Sequence, residues 1–222
     1  MRCRGADIQL KAVLFDLDGT LIDSRRDIAA SANAVRGRYG FPSLPEETVG
    51  SYVGLGIMFL LEKTLETRDA ARLKEAHQFF KGHYRDHCVD HTRTFEGALD
   101  LLEDLRKRGI RMGVVSNKPQ EFTDLILAKL GLAPYFGAVL GPEATVNKKP
   151  HPEPLLTALH KLGAGPSEAV MIGDSTVDIE AARAARMPVG VVTHGYGTRD
   201  ILNAADPDWL ADSLKEFIEL LI

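Results

Sequence analysis

The sequence predicts an α/β fold, a doubly wound parallel sheet whose first strand is followed by an inserted, small all-helical segment. Three observations carry this expectation. A short apolar run, Val13-Leu14-Phe15, ends in Asp16-Leu17-Asp18-Gly19-Thr20. From Gly97 onward, apolar runs of strand length alternate with helical stretches across short loops. Between them, from Ser24 to about His91, the periodicity stays helical and gives no strand signal. The expected division is a discontinuous core, residues 1–22 and 92–222, and a helical domain, residues 23–91.

Taken in order, Val13 to Phe15 read as a strand buried on both faces. Asp23-Ser24 opens a helix: Ser24 and Asp27 have capping-box spacing, and Ile28, Ala32, Val35 and Tyr39 recur along one face. Gly40 and Pro42 stop it. Pro45-Glu46-Glu47 looks like a first turn, and Ile57 to Leu65 is an apolar helix after Val53-Gly54-Leu55-Gly56. A longer helix runs from about Asp69 to Cys88. In the core, helices are expected at Gly97 to Arg108, Pro119 to Leu130, Pro152 to Leu162, Thr176 to Ala185 and near Ser213 to Leu220. Strands are expected at Ile110 to Val115, Ala138 to Leu140, Ala169 to Ile172 and Val189 to Val192.

Composition removes several classes. Hydrophobic residues make up 45% of the 222, enough for a packed core. A net charge of −4 gives no basic footprint for nucleic acid. Cys3 and Cys88 are too few for a disulfide framework and fit a reducing, cytoplasmic setting. No apolar run approaches membrane-spanning length, and Met1 to Lys11 carries Arg2 and Arg4 without the apolar stretch of a secretory signal. The expected partner is a small molecule; monomer and homodimer are equally compatible with the chain.

Four stretches at predicted strand ends carry candidate chemistry. Side chains alternate along a strand, so Asp16 and Asp18 point the same way at its tip. Two close carboxylates conflict unless a cation joins them, and hard oxygens suit Mg²⁺. An Asp-Gly turn explains the same residues without function. Ser116-Asn117-Lys118 follows a strand and offers hydroxyl and amide donors to an anion, or simply caps a helix. In Lys148-Lys149-Pro150-His151-Pro152, the prolines present Lys149 from a stiff loop, where it can neutralise phosphoryl oxygens or hold a carboxylate. The alternative is a pair of solvated lysines at a turn. Gly173-Asp174 ends another strand, with Asp178 one helical turn on; Asp174 is otherwise a helix cap. His77, His83, His87, Cys88 and His91 crowd the long helix at metal-pair spacing, but a structural metal needs further ligands and none is apparent.

Together and in this order, these stretches resemble the haloacid dehalogenase-like phosphohydrolase superfamily over nearly the whole chain. Asp16-Leu17-Asp18-Gly19-Thr20 is similar to its first motif, Ser116 to its second, Lys149 to its third, and Gly173-Asp174 with Asp178 to its fourth. The helical insert looks like the family's small cap on a Rossmann-like core. Ser116-Asn117-Lys118-Pro119, Lys148-Lys149-Pro150-His151-Pro152, Gly54-Leu55-Gly56 and His194-Gly195-Tyr196-Gly197 are similar to phosphoglycolate phosphatases. Phe95-Glu96-Gly97 departs from the Tyr-Pro-Gly of many relatives, at the return from cap to core.

The resemblance implies a Mg²⁺-dependent phosphatase of a small phosphomonoester, 2-phosphoglycolate first, acting through an aspartyl-phosphate. It implies Asp16 as nucleophile and Asp18 as general acid and base. It implies Ser116 and Lys149 on the phosphoryl oxygens. Mg²⁺ is implied on Asp16, the backbone carbonyl of Asp18, and Asp174, with Asp178 behind them. Thr20, Asn117, Gly54 and Gly56 are expected on the substrate side. Arg25, Lys63 and the backbone from Gly54 to Gly56 are candidates for a substrate carboxylate. Asp18 disfavours a dehalogenase and Gly173 a phosphomutase, while Lys63 keeps a phosphonate hydrolase open. Another substrate, such as pyrophosphate or a sugar phosphate, remains an alternative within the phosphatases. A non-enzymatic phospho-acceptor domain is the reading from a different class; the helical insert and Asp18 argue against it.

Overall fold

A computed structural model of the chain describes residues 2–3, 6–7 and 9–221. Met1 and Arg4 and the side chains of Arg2 and Cys3, read above as part of the N-terminal stretch, lie outside that description.

Six parallel strands form the main sheet. Numbered in chain order they are β1 (Ala12–Phe15), β2 (Arg111–Val115), β3 (Ala138–Leu140), β4 (Ala169–Gly173), β5 (Val189–Val192) and β6 (Trp209–Ala211). Their spatial order is β6-β5-β4-β1-β2-β3, so the first strand lies at the centre. Every residue of β1 is buried, as expected for a strand covered on both faces. Alternation along it feeds two cores: Val13 and Phe15 join one apolar cluster, Ala12 and Leu14 the other. On the first face lie α5 (Ala98–Lys107) and α6 (Gln120–Lys129), through Leu101, Leu105, Phe122 and Ile126. On the second lie α7 (Glu153–Leu162), α8 (Thr176–Ala184) and α9 (Arg199–Ala204), through Leu155, Leu159, Ile179 and Leu202. The sheet is doubly wound, as the strand–helix rhythm predicts.

The segment between β1 and α5 holds α1 (Arg25–Arg38), α2 (Glu46–Gly50), α3 (Ile57–Leu65) and α4 (Ala70–His87). Its apolar residues, among them Ile28, Leu61, Phe80 and Tyr84, belong to the same continuous cluster as Phe15 and Phe122 of the sheet layer. Asp69 caps α4 through the Arg72 amide at 2.8 Å. The segment enters and leaves through a two-stranded antiparallel ribbon, Ile22–Asp23 against Arg93–Thr94. That ribbon carries no periodicity signal because two residues are too short to show one.

Local chemistry corrects four expectations. Ser24 does not cap α1; its hydroxyl turns to Asp18. Asp27 instead is buried and accepts from the amides of His91 and Thr92 and from the Thr92 hydroxyl, 2.7–3.0 Å away, pinning α1 to the returning strand. Strand β6 and helix α9 were not anticipated, since the Ala-Ala-Asp-Pro-Asp run around them reads as loop. The last helix is a 3₁₀ turn, Leu214–Glu216, followed by a single α turn, α10 (Phe217–Leu220). No helix among the described residues is long and apolar enough to cross a membrane.

Candidate active site

Strands β4, β1 and β2 are neighbours in register, with Phe15 beside both Ile172 and Val114. Asp16 follows β1, Ser116 follows β2 and Asp174 follows β4, so parallel pairing alone delivers all three to one edge. That edge is the carboxyl end of a doubly wound sheet, where such folds bind ligands. A cavity of about 590 Å³ opens there, walled by Asp16, Asp18, Ser116 and Asp174 from the sheet and by Gly54, Gly56, Leu60 and Tyr84 from the helical segment.

Carboxylate oxygens of Asp16, Asp174 and Asp178 lie within 4.8 Å of one another, all buried. Lys149 is 2% exposed and sits between two of them, its Nζ 3.0 Å from Asp16 Oδ1 and 2.7 Å from Asp178 Oδ1. Burial pushes the Asp16 carboxyl up to about 6, although Lys149 pulls it down and Asp178 adds to the rise. Asp174 is pushed well above the usual carboxylate range by burial, then by Asp178 and Asp16. Burial pulls Lys149 down, but Asp16 and Asp178 outweigh it and the ammonium ends at about 12. Three carboxylates against one ammonium leave a charge of −2. A divalent cation on hard oxygens matches that deficit, so the residues fit Mg²⁺.

The surrounding chain fixes each carboxylate. Asp174 accepts from the Tyr196 amide at 2.7 Å and the Thr20 hydroxyl at 3.3 Å. Gly19, at φ +84°, passes so close that a Cβ there would overlap the Asp174 carboxylate. Asp178 Oδ2 accepts from the Ser175 hydroxyl at 2.6 Å and from the amides of Ser175 and Asp174, capping α8. The cap is therefore made by Ser175 and Asp178, not by Asp174. Asp18 turns away from this cluster. Its carboxylate accepts from Ser24 Oγ at 2.5 Å and from Lys118 Nζ at 3.0 Å to each oxygen. The Ser24 hydroxyl also touches Tyr196 Oη at 3.1 Å.

Most of the residues singled out from the sequence converge, with differences of placement at Thr20, Asp18, Arg25 and Lys63. Thr20 does not face the cavity; it is fully buried and braces Asp174. The Asp18 side chain turns to Ser24 and Lys118 rather than to the carboxylate cluster. Ser116 lines the cavity, and neither it nor Asn117 caps α6, whose N-cap position is Pro119. Asn117 Nδ2 donates to Gly54 O at 2.8 Å and Lys149 O at 2.9 Å, so it joins the helical segment to the sheet edge. Lys148 adds a 2.6 Å bond to Leu55 O. Gly54 and Gly56 stand in the wall. Arg25 does not: its guanidinium lies over the Tyr196 ring at 4.7 Å and reaches Gly195 O. Lys63 packs over Phe59. Sequence reasoning missed Lys118: the Ser116-Asn117-Lys118 triplet points to its hydroxyl and amide donors, while the Lys118 partner Asp18 lies 100 positions away. The histidines of α4 form no metal group: His83 bonds Ser31 at 3.0 Å and His87 pairs with Asp90 at 2.8 Å. Among the described residues, the Asp16, Asp174 and Asp178 cluster is the only such group.

Comparison with known proteins agrees with this geometry. The family model described as haloacid dehalogenase-like hydrolase matches residues 13–192. A phosphoglycolate phosphatase of Neisseria meningitidis is 42% identical, over 96% of this chain and 94% of that protein. An N-acetylmuramic acid 6-phosphate phosphatase of Pseudomonas aeruginosa is 35% identical, over 96% of each. The crystal structure of a predicted phosphoglycolate phosphatase from Haemophilus somnus superposes with a TM-score of 0.92 at 28% identity, over 98% of this chain and all of that one.

Proposed function

Because the chain belongs to the haloacid dehalogenase-like hydrolase family and is a phosphoric monoester hydrolase, we propose that it hydrolyses 2-phosphoglycolate to glycolate and phosphate with Mg²⁺ bound. The observation that carries this reading is the buried Asp16 carboxylate in the cavity wall, beside Asp18, in a chain 42% identical to a phosphoglycolate phosphatase.

Asp16 attacks phosphorus, the bond to the leaving oxygen breaks, and Asp18 gives that oxygen a proton, leaving an aspartyl-phosphate. Asp18 then takes a proton from water as its oxygen attacks phosphorus, releasing phosphate and restoring Asp16. Ser116, with the amides of Leu17 and Asn117, holds the phosphoryl oxygens. Lys149 neutralises Asp16 and Asp178 and fixes the nucleophile. Asp16, Asp174, the Asp18 backbone carbonyl and, behind them, Asp178 hold Mg²⁺, which supplies charge neutralisation at the transferring group when bound. Residues 23–91 act as the cap, latched by Asn117 and Lys148, and exclude water from the closed site. A cytoplasmic setting suits the buried free thiol of Cys88.

A second reading is favoured by the cavity itself. At about 590 Å³, with Phe80, Tyr84 and Phe122 in its wall, it exceeds what a two-carbon leaving group fills. A carboxylated amino-sugar phosphate, the substrate class named for the Pseudomonas relative, fits that space. Steady-state phosphate release from a panel of phosphoesters with Mg²⁺ separates the two. A kcat/KM highest for 2-phosphoglycolate supports the first; one highest for N-acetylmuramic acid 6-phosphate supports the second; no turnover of any ester contradicts both.

A further inference from the structure

We propose that Lys118 is the residue that recognises the leaving group, by pairing with a carboxylate carried close to the ester oxygen. The inference rests on the phosphatase reading and extends it to substrate class, a phosphomonoester with an acid group.

The cavity wall is rich in carboxylates, yet Lys118 is the one cationic side chain among the described residues that line it. Every other nearby cation is taken up elsewhere. Lys149 lies sealed between Asp16 and Asp178. Arg25 is stacked on Tyr196, Lys63 covers Phe59, and Lys148 holds Leu55 O. Lys118 is placed next to the chemistry, because its Nζ is 3.0 Å from both oxygens of Asp18, the group assigned to protonate the leaving oxygen. A leaving group whose oxygen meets Asp18 therefore brings a carboxylate one methylene away to the same ammonium. An ammonium has three N–H donors, and Asp18 accepts two, which leaves one for a ligand.

The setting also fixes the ammonium. Lys118 is 8% exposed and its Nζ lies 4.7 Å from the centroid of the Tyr84 ring, so the charge is held against an aromatic face from α4. Leu60, Phe80 and Phe122 stand in the same wall and keep the local dielectric low, which strengthens a charge pair. Tyr84 belongs to the helical segment and Lys118 to the sheet edge, so the subsite is complete only when the two are together.

The test compares substrates that differ by one carboxylate next to the ester carbon: 2-phosphoglycolate with ethyl phosphate, and 2-phospholactate with isopropyl phosphate. In at least one pair the wild type favours the acid by about tenfold to a hundredfold in kcat/KM, the scale of one charge-assisted hydrogen bond. In Lys118→Met that ratio falls toward one, and in Lys118→Arg most of it returns. Absolute rates fall too, because Asp18 loses a partner, so the ratio within each pair is the readout. If Lys118→Met turns over too slowly, calorimetric binding of the preferred acid ester and its neutral partner is compared in Asp16→Asn and in Asp16→Asn/Lys118→Met. The same collapse of preference is expected there. A preference unchanged by Lys118→Met in both measurements overturns the assignment and leaves the 2-phosphoglycolate reading standing. A wild type that ignores 2-phosphoglycolate but prefers 2-phospholactate to isopropyl phosphate, with that preference lost in Lys118→Met, overturns the substrate reading and supports Lys118.

Discussion

The Lys149 ammonium lies 3.0 Å from Oδ1 of Asp16, and the Lys residue is almost fully buried. A lysine is found in such a place only when paired, and here it has a second carboxylate, Asp178, at 2.7 Å. The Asp16 charge is thus held by a group that cannot move away without leaving two buried carboxylates uncompensated.

Lys149→Met follows from that relationship. Removing one partner of a buried ion pair costs about 3–5 kcal/mol. The variant is expected to unfold at lower denaturant by that margin when assayed with a chelator, and to lose most turnover. Unchanged stability in the chelated protein contradicts the pairing.

The carboxylate cluster sets a pH dependence for metal binding. Asp16 titrates at about 6 in the folded chain against an ordinary 3.8. A carboxyl raised on folding stabilises the native state at pH values below its folded value, and that contribution is lost as pH climbs from about 4 to 6. Mg²⁺ requires the ionised form, so it competes with protons in this window. The Mg²⁺-induced rise in Tm should be small near pH 5 and grow up to about pH 7. Asp174→Asn should flatten the curve. An equal shift at both pH values contradicts the assigned cluster.

Asp27 ties α1 to the returning strand. Its buried carboxylate takes three donors from His91 and Thr92. Asp27→Ala strands them and should cost about 1–3 kcal/mol in denaturant unfolding. A change below about 0.5 kcal/mol, the size of an ordinary surface substitution, argues against the contact.

Lys148→Met removes one of the two bonds that hold the Gly54 to Gly56 loop to the sheet edge. KM for 2-phosphoglycolate should rise about two- to tenfold, as expected for one hydrogen bond, with kcat on an aryl phosphate changed less. A parallel fall in both activities contradicts a latch role.

Much of this architecture is legible in the sequence because its causes are local or periodic. The β1 run and the Asp16-to-Thr20 turn specify a strand tip, and the register of parallel strands then brings Ser116 and Asp174 beside it. What escaped notice depends on distant chain. Ser24 and Asp27 have capping-box spacing, yet tertiary partners claim both side chains: Asp18 and Tyr196 the first, His91 and Thr92 the second. Thr20 reads as a substrate contact from its motif position, and only the placement of Asp174 turns it inward. Lys118 carries no local signal, because Asp18 and Tyr84, the residues that hold its ammonium, lie far earlier in the chain. The size of the cavity is likewise invisible, because it is set by how α3 and α4 stand over the sheet edge rather than by any stretch of residues.

The central claim is that Asp16 carries the phosphoryl group during Mg²⁺-dependent hydrolysis. The most direct measurement is phosphate release from 2-phosphoglycolate, with Mg²⁺, by wild type and Asp16→Asn, with circular dichroism confirming that both are folded. The account predicts wild-type turnover on the order of 1–10³ s⁻¹ and less than about a thousandth of it in the variant. An Asp16→Asn protein that is folded and retains more than that fraction, or a wild type that releases no phosphate, contradicts it.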